Sequence, residues 1–314
     1  MDIKDNNNAS DDKVYDIAIV GTGPGGLSAA VYAARYRMDT VIIGNQMGGM
    51  IAEAHRVCNF PSYVEISGMD FTQKLVEQVK FLKVPVIVDF VTDIKKEDNI
   101  FNVSTQSKTY KAKKVILALG SEKRKQNVPG EKEFLGKGVS YCATCDGAFF
   151  RDKVVAVTGG SDSALTAALL LADFAEKVYI IYRRDKFYRG QPAWVSAVEE
   201  NPKIECLFET NLKEIRGSML VESLLIETKG DEKELPVDGI FVEIGSIPNT
   251  KLAETLGIEL ENNFIKTDKY QKTNINGVFA AGDVTNNAMK QLITAAAEGA
   301  VAVSTAYKEI MKDE

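Results

Sequence analysis

Two sulfurs and a carboxylate follow one another closely in Cys142-Ala143-Thr144-Cys145-Asp146. Two residues between the cysteines let their sulfurs close without large backbone movement, so the pair reads as a redox dithiol. Asp146 follows directly and can exchange a proton with a nearby thiolate. Zinc is the competing use of such a pair, but it takes four ligands, usually from two pairs. The remaining candidates, Cys58, Cys206 and His55, stand alone, so no metal site is expected. His55 is the single histidine and is read as structural, which leaves acid–base work to a carboxylate. Cys58 and Cys206 have apolar neighbours and are expected to be buried and inert. Trp194 is read as packing or surface.

A dithiol needs a source of electrons. An apolar run at residues 17–20 is followed at once by Gly21-Thr22-Gly23-Pro24-Gly25-Gly26, an Ala-rich helical pattern at 27–37 and a second apolar run at 40–43. This is strand, turn, helix, strand. Gly21 allows the tight turn, Gly23 lets backbone approach a pyrophosphate, and Gly26 lets the helix pack close on the strand. The helix start offers free N–H groups and a positive dipole end to phosphates. The acid expected about 20 residues on is missing. Gly44, Asn45 and Gln46 stand there, and Asn45 or Gln46 is the alternative partner for a ribose hydroxyl. The pair Gly48-Gly49 marks another close backbone approach.

The pattern recurs 138 residues after Gly21. An apolar strand at 154–157 leads into Gly159-Gly160-Ser161-Asp162-Ser163-Ala164, a helix at 165–174 and a strand at 178–181. Two such units in one chain imply two dinucleotides, the arrangement of a protein that passes electrons between them. Ser161 holds the central glycine's place, and Tyr182-Arg183-Arg184 replaces the acid. Two arginines there fit the 2′-phosphate of NADP. A solvated strand end is the plain alternative.

A third piece, Gly277-Val278-Phe279-Ala280-Ala281-Gly282-Asp283-Val284, reads as a short strand ending in Gly-Asp, before a helical pattern at 288–310. An acid at this junction can hold a flavin's ribityl hydroxyls, or simply cap the helix. The piece best completes the first domain, with the second inserted in it. The crossings fall at 121–126, which is charged, and at 245–249, which holds Gly245 and Pro248.

The length of 314 residues allows about two domains. Lys plus Arg total 38 against 44 Asp plus Glu, a net charge of −6 that argues against non-specific nucleic-acid binding. Four cysteines are too few for a secreted disulfide framework. The uncharged stretch 17–34 contains the glycine turn, which would break a spanning helix, so no membrane association is expected. The start, MDIKDNNNASDDK, is polar and acidic and is read as a frayed tail. A cytoplasmic location follows.

Taken together, these residues resemble the low-molecular-weight thioredoxin reductases, within the flavin-dependent pyridine nucleotide-disulfide oxidoreductases. The resemblance runs from Tyr15 to about Tyr307 and is most specific over residues 136–147, Gly-Lys-Gly-Val-Ser-Tyr-Cys-Ala-Thr-Cys-Asp-Gly. It implies an α/β fold of two Rossmann-like dinucleotide-binding domains, the second inserted in the first. Residues 1–122 and 248–314 would form the FAD domain, and 123–247 the NAD(P)H domain carrying the dithiol. FAD would lie on Gly21, Gly23, Pro24, Gly25 and Gly26, then on Asn45, Gln46, Gly49 and Asn59, and finally on Gly282, Asp283, Lys290, Gln291 and Leu292. Gln291 would stand near the ring. NADP would lie on Gly160, Ser161, Asp162 and Ser163, with Arg183 and Arg184 at its 2′-phosphate. The resemblance also assigns Cys145 to the flavin side, Cys142 to attack on the substrate disulfide and Asp146 as acid and base. It implies a homodimer and thioredoxin, or a similar small redox protein, as partner.

Several positions depart from the family pattern. Tyr182 stands for a usual His, and a further Arg is offset by one, since Tyr188 precedes Arg189. Met50 and Ser62 replace a common Gln and Gly. NADPH is the expected donor, with NADH or another reduced carrier as alternatives. A flavoprotein redox sensor without turnover is the reading from another class, and the intact CxxC-Asp argues against it. Because dithiol and nicotinamide site share one domain and the flavin the other, the inserted domain is expected to rotate about the crossings.

Overall fold

The computed structural model describes residues 13–313, so the polar start lies outside the described residues apart from Lys13. Alternating apolar runs and helices give an α/β fold. The chain divides into two compact units, Met1–Glu122 with Pro248–Glu314, and Lys123–Ile247.

In the first unit the buried strand Val14–Val20 is central to a seven-stranded sheet. On one side it pairs in parallel with Thr40–Ile43, which pairs with Val86–Ile87. On the other it pairs in parallel with the long strand Thr109–Leu117. That strand then serves two neighbours. Its first half pairs antiparallel with Ile100–Thr105, which carries Val91–Glu97, and its second half pairs in parallel with Val278–Ala280. Residues on a strand alternate between faces. Ile17 and Ile19 enter one core with the helix residues Leu27, Ala30, Ala302 and Val303, while Ala18 and Val20 enter another with Val103, Ile258 and Ile265.

The helix Pro24–Arg35 starts three residues earlier than the periodicity predicts, because Pro24 fills a first-turn position that needs no N–H. The last helix, Leu292–Asp313, starts four residues later than predicted. Its first turn closes when Ala295 N–H reaches Gln291 O at 2.9 Å, so residues 288–291 stay outside it. The two helices touch backbone to backbone. A Cβ on Gly299 would lie 2.0 Å from Gly25 O, and Ser28 Oγ donates to Ala296 O at 2.6 Å.

The second unit repeats the plan. Its parallel sheet runs Ile204–Leu207, Lys177–Ile181, Val154–Thr158, Gly239–Val242, Val139–Ser140. The helices Asp162–Ala172 and Pro192–Glu199 cover one face, and Trp194 packs partly buried there. The antiparallel strands Thr210–Gly217, Val221–Thr228 and Asp231–Pro236 cover the other. The crossings are not loose linkers. Ser121–Lys123 and Ser246–Pro248 are strands that pair as a ribbon. Among the described residues no helix is long and apolar enough to cross a membrane, and no cluster of three metal-ligating side chains occurs.

Candidate functional site

The first unit holds a cavity of about 320 Å³, a size that takes a small-molecule ligand. Its floor is the first glycine turn. Gly21 has φ +114, and a Cβ there would lie 2.1 Å from Ala118 O, so the residue must be glycine. Gly26 is absent from the lining. It works underneath, where a Cβ would lie 1.9 Å from Gly21 O. Gly23 differs from both. Its φ of −77 suits any residue, and a Cβ would approach only Gly48 O, at 3.8 Å. The protein itself has no need of glycine here, so the space is kept for a ligand's close approach.

Pro24, Gly25, Asn45, Gln46, Gly49 and Gly282 also line this cavity, with Asp283, Lys290, Gln291 and Leu292. Gln46 is already engaged, its amide donating to Glu53 Oε1 at 3.0 Å. Asn59 lies outside the lining but donates its amide to Gln291 Oε1 at 2.9 Å, which fixes Gln291. Burial pushes the Asp283 carboxyl above its ordinary range, with Lys290 pulling the other way. Burial lowers Lys290, whose ammonium donates to Thr285 O and sits 4.4 Å over the Phe264 ring. Beneath them Glu298 accepts Gly282 N–H at 2.7 Å. A desolvated carboxylate facing a cavity wants hydroxyl donors, and a polyhydroxylated chain such as a flavin's ribityl supplies them. The residues therefore fit FAD.

The second unit holds a cavity of about 500 Å³ lined by Gly160, Ser161, Arg183 and Arg184. Asp162 and Ser163 are not in its lining. Asp162 instead accepts the backbone and side-chain N–H of Gln191, at 2.6 and 2.7 Å. Gly160 lies under Tyr182, since a Cβ would come 2.4 Å from that ring. Sequence reasoning left Arg124 and Lys125 out of this site and noted Arg189 only as a displaced arginine. Arg189, bridged to Ser161, lines the cavity together with Arg124 and Lys125. Glu243 in the same wall is neutralised by Lys123 Nζ, 3.0 Å from both its oxygens. Thr158 Oγ1 and Gln126 Oε1, on two lining residues, are buried without a hydrogen-bond partner. Five cations and two orphaned polar atoms fit a phosphorylated nucleotide.

The dithiol sits in this unit as a Cys142–Cys145 disulfide, Cα atoms 5.3 Å apart. Cys142 caps the one-turn helix Ala143–Asp146, its sulfur accepting Cys145 N–H at 3.1 Å. Cys145 is exposed and Cys142 half-buried. Ser140, on the sheet edge, donates its hydroxyl to Asp146 Oδ2 at 2.6 Å and accepts Cys142 N–H at 3.0 Å. The sheet thus holds thiol and carboxyl in one frame.

The expected burial of the two remaining cysteines is not found. Cys58 is exposed. Val57 pairs with Ile66 across a β-bridge and turns inward, so its neighbour turns out. Cys206 is half-buried, and desolvation pushes its thiol up to about 11.

The family model for pyridine nucleotide-disulphide oxidoreductases matches residues 15–299. Thioredoxin reductase of Bacillus subtilis is 38% identical, over 94% of this chain and 95% of its own length. Two solved structures are similar. Thioredoxin reductase of Lactococcus lactis has a TM-score of 0.92 at 36% identity, covering 95% of this chain and 99% of that one. That of T. acidophilum has a TM-score of 0.91 at 33% identity, covering 96% and 100%.

Proposed function

The chain belongs to the pyridine nucleotide-disulphide oxidoreductase family, and from that premise we propose that it is an FAD-dependent thioredoxin-disulfide reductase using NADPH. The observation that carries this is the Cys142–Cys145 disulfide, with Asp146 beside it, in a chain with two cavities each lined by a glycine turn. FAD would be held on the first glycine turn and by Asp283, Lys290 and Gln291. NADPH would be held on Gly160 and Ser161, with Arg183, Arg184 and Arg189 at its 2′-phosphate. When bound, the flavin supplies a two-electron carrier between nicotinamide and disulfide.

The protein's own residues do the rest. With the pair reduced, the Cys142 thiolate attacks one sulfur of the substrate disulfide. A mixed disulfide forms and one substrate thiolate leaves, taking the proton that the Asp146 carboxylate had removed from the Cys142 thiol. The Cys145 thiolate then attacks Cys142 Sγ. The second substrate sulfur departs, taking up the proton lost by the Cys145 thiol, and the Cys142–Cys145 bond is restored. Two electrons have moved to the substrate, matching the two that reduced the pair.

The dithiol and the nucleotide cavity belong to the inserted unit and the flavin cavity to the other, so rotation about the paired crossings brings each to the ring in turn. A crosslink fixing the two units is expected to stop turnover, and full activity of the crosslinked protein refutes the rotation. The few cysteines and the redox pair support a cytoplasmic location, and the likeness to thioredoxin reductases supports a homodimer. Anaerobic addition of NADPH, then NADH, then dithionite tests the whole reading. Bleaching of the flavin by NADPH and subsequent reduction of thioredoxin is expected. Bleaching by dithionite alone removes NADPH as donor.

A further inference from the structure

Lys125, Gln126 and Asn127 form one wall of the second cavity. That wall has a strained backbone, since Asn127 has φ 59, in the left-handed region. What holds it is Glu131. This carboxylate is only 5% exposed, where glutamate is seldom found without partners. Its oxygens accept the backbone N–H of Gln126 at 2.8 Å and of Asn127 at 2.5 Å. They also accept the Tyr141 hydroxyl at 2.7 Å, and Tyr141 adjoins Cys142. One buried charge therefore organises the cavity wall and reaches the residue before the dithiol.

We propose that Glu131 is a positioning residue for the nicotinamide nucleotide. By holding two successive N–H groups it fixes the Gln126–Asn127 backbone that lines the cavity. The inference rests on reading this cavity as the nucleotide site. A neutral amide at 131 has only one acceptor oxygen, and its NH₂ would face a backbone N–H donor. The near-isosteric Glu131→Gln exchange thus breaks the wall without removing volume.

The test uses the flavin-loaded protein. In Glu131→Gln, amide hydrogen exchange at Gln126 and Asn127 should accelerate and the NADPH Kd by calorimetry should rise about tenfold, with kcat at saturating NADPH within twofold of native. Tyr141→Phe removes one donor but leaves both wall contacts, so its NADPH Kd should stay within twofold. If Glu131→Gln fails to fold, Glu131→Asp, which keeps the charge but falls short by one methylene, should show the same rise. A folded Glu131 variant with native amide protection and native Kd overturns the inference. Native protein that binds neither NADPH nor NADH overturns the nucleotide reading together with it.

Discussion

The two glycine turns look alike in sequence but use their second glycine differently. At Gly23 the missing side chain leaves room that no protein atom fills, while the second turn carries Ser161 at the matching place and its Gly160, one residue earlier, lies under the Tyr182 ring. The first cavity offers backbone at its glycine turn. The second is lined by the charges of Arg124, Lys125, Arg183, Arg184 and Arg189. Backbone recognition suits a cofactor that stays. Charge recognition suits a substrate that must arrive and leave, because charged contacts speed encounter and are screened by salt.

The largest effect comes from cutting the path that joins the halves. In Cys145→Ser both cavities should fill normally, with flavin retained and bleached by NADPH. Thioredoxin reduction should fall by at least about 1000-fold in a coupled assay. Residual full activity contradicts the assignment of the sulfurs. Next is the glycine pair itself. Gly23→Ala should leave the melting temperature of the flavin-free protein within a degree or so, since its φ of −77 and 3.8 Å clearance accommodate a methyl, yet deplete bound flavin. Gly160→Ala should cost about 1–3 kcal/mol in urea melts even without nucleotide, because Tyr182 must move. Equal stability losses in both would erase the contrast.

Arg189→Ala should raise KM for NADPH about tenfold and leave KM for NADH unchanged. Salt raised from about 50 to 300 mM should weaken NADPH in native protein while flavin stays bound. The smallest effect concerns Asp283. Burial raises its carboxyl above the unfolded value, so the folded state holds a proton that the unfolded chain has lost. Stability of the flavin-free protein should therefore fall as pH rises from about 4 through that raised value. Asp283→Asn should flatten this slope in urea melts at successive pH values while reducing flavin retention.

The positions that sequence made readable are those whose chemistry is local. Gly21, Gly26 and Gly159 announce their turns because each must lie close to a backbone carbonyl, and the CxxC-Asp run carries its redox chemistry within five residues. Helix ends were less readable. Pro24 at the start of the first helix and Gln291 before the last moved the boundaries by three and four residues. Contacts closed by folding left no periodic trace. Arg189 lines the second cavity and is bridged to Ser161, 28 residues away in the chain. Glu131 holds the wall through a loop with no pattern to mark it. Cys58 was misplaced because apolar neighbours say nothing about which side of a short bridge faces solvent.

That outward-facing sulfur has a practical consequence. Any alkylating reagent used to count freshly reduced thiols will label Cys58 along with the active pair, and its labelling will not depend on donor. Trapping assays of the catalytic cycle belong in a Cys58→Ser background, where the signal reports Cys142 and Cys145, and Cys206 contributes little at neutral pH because desolvation pushes its thiol up to about 11.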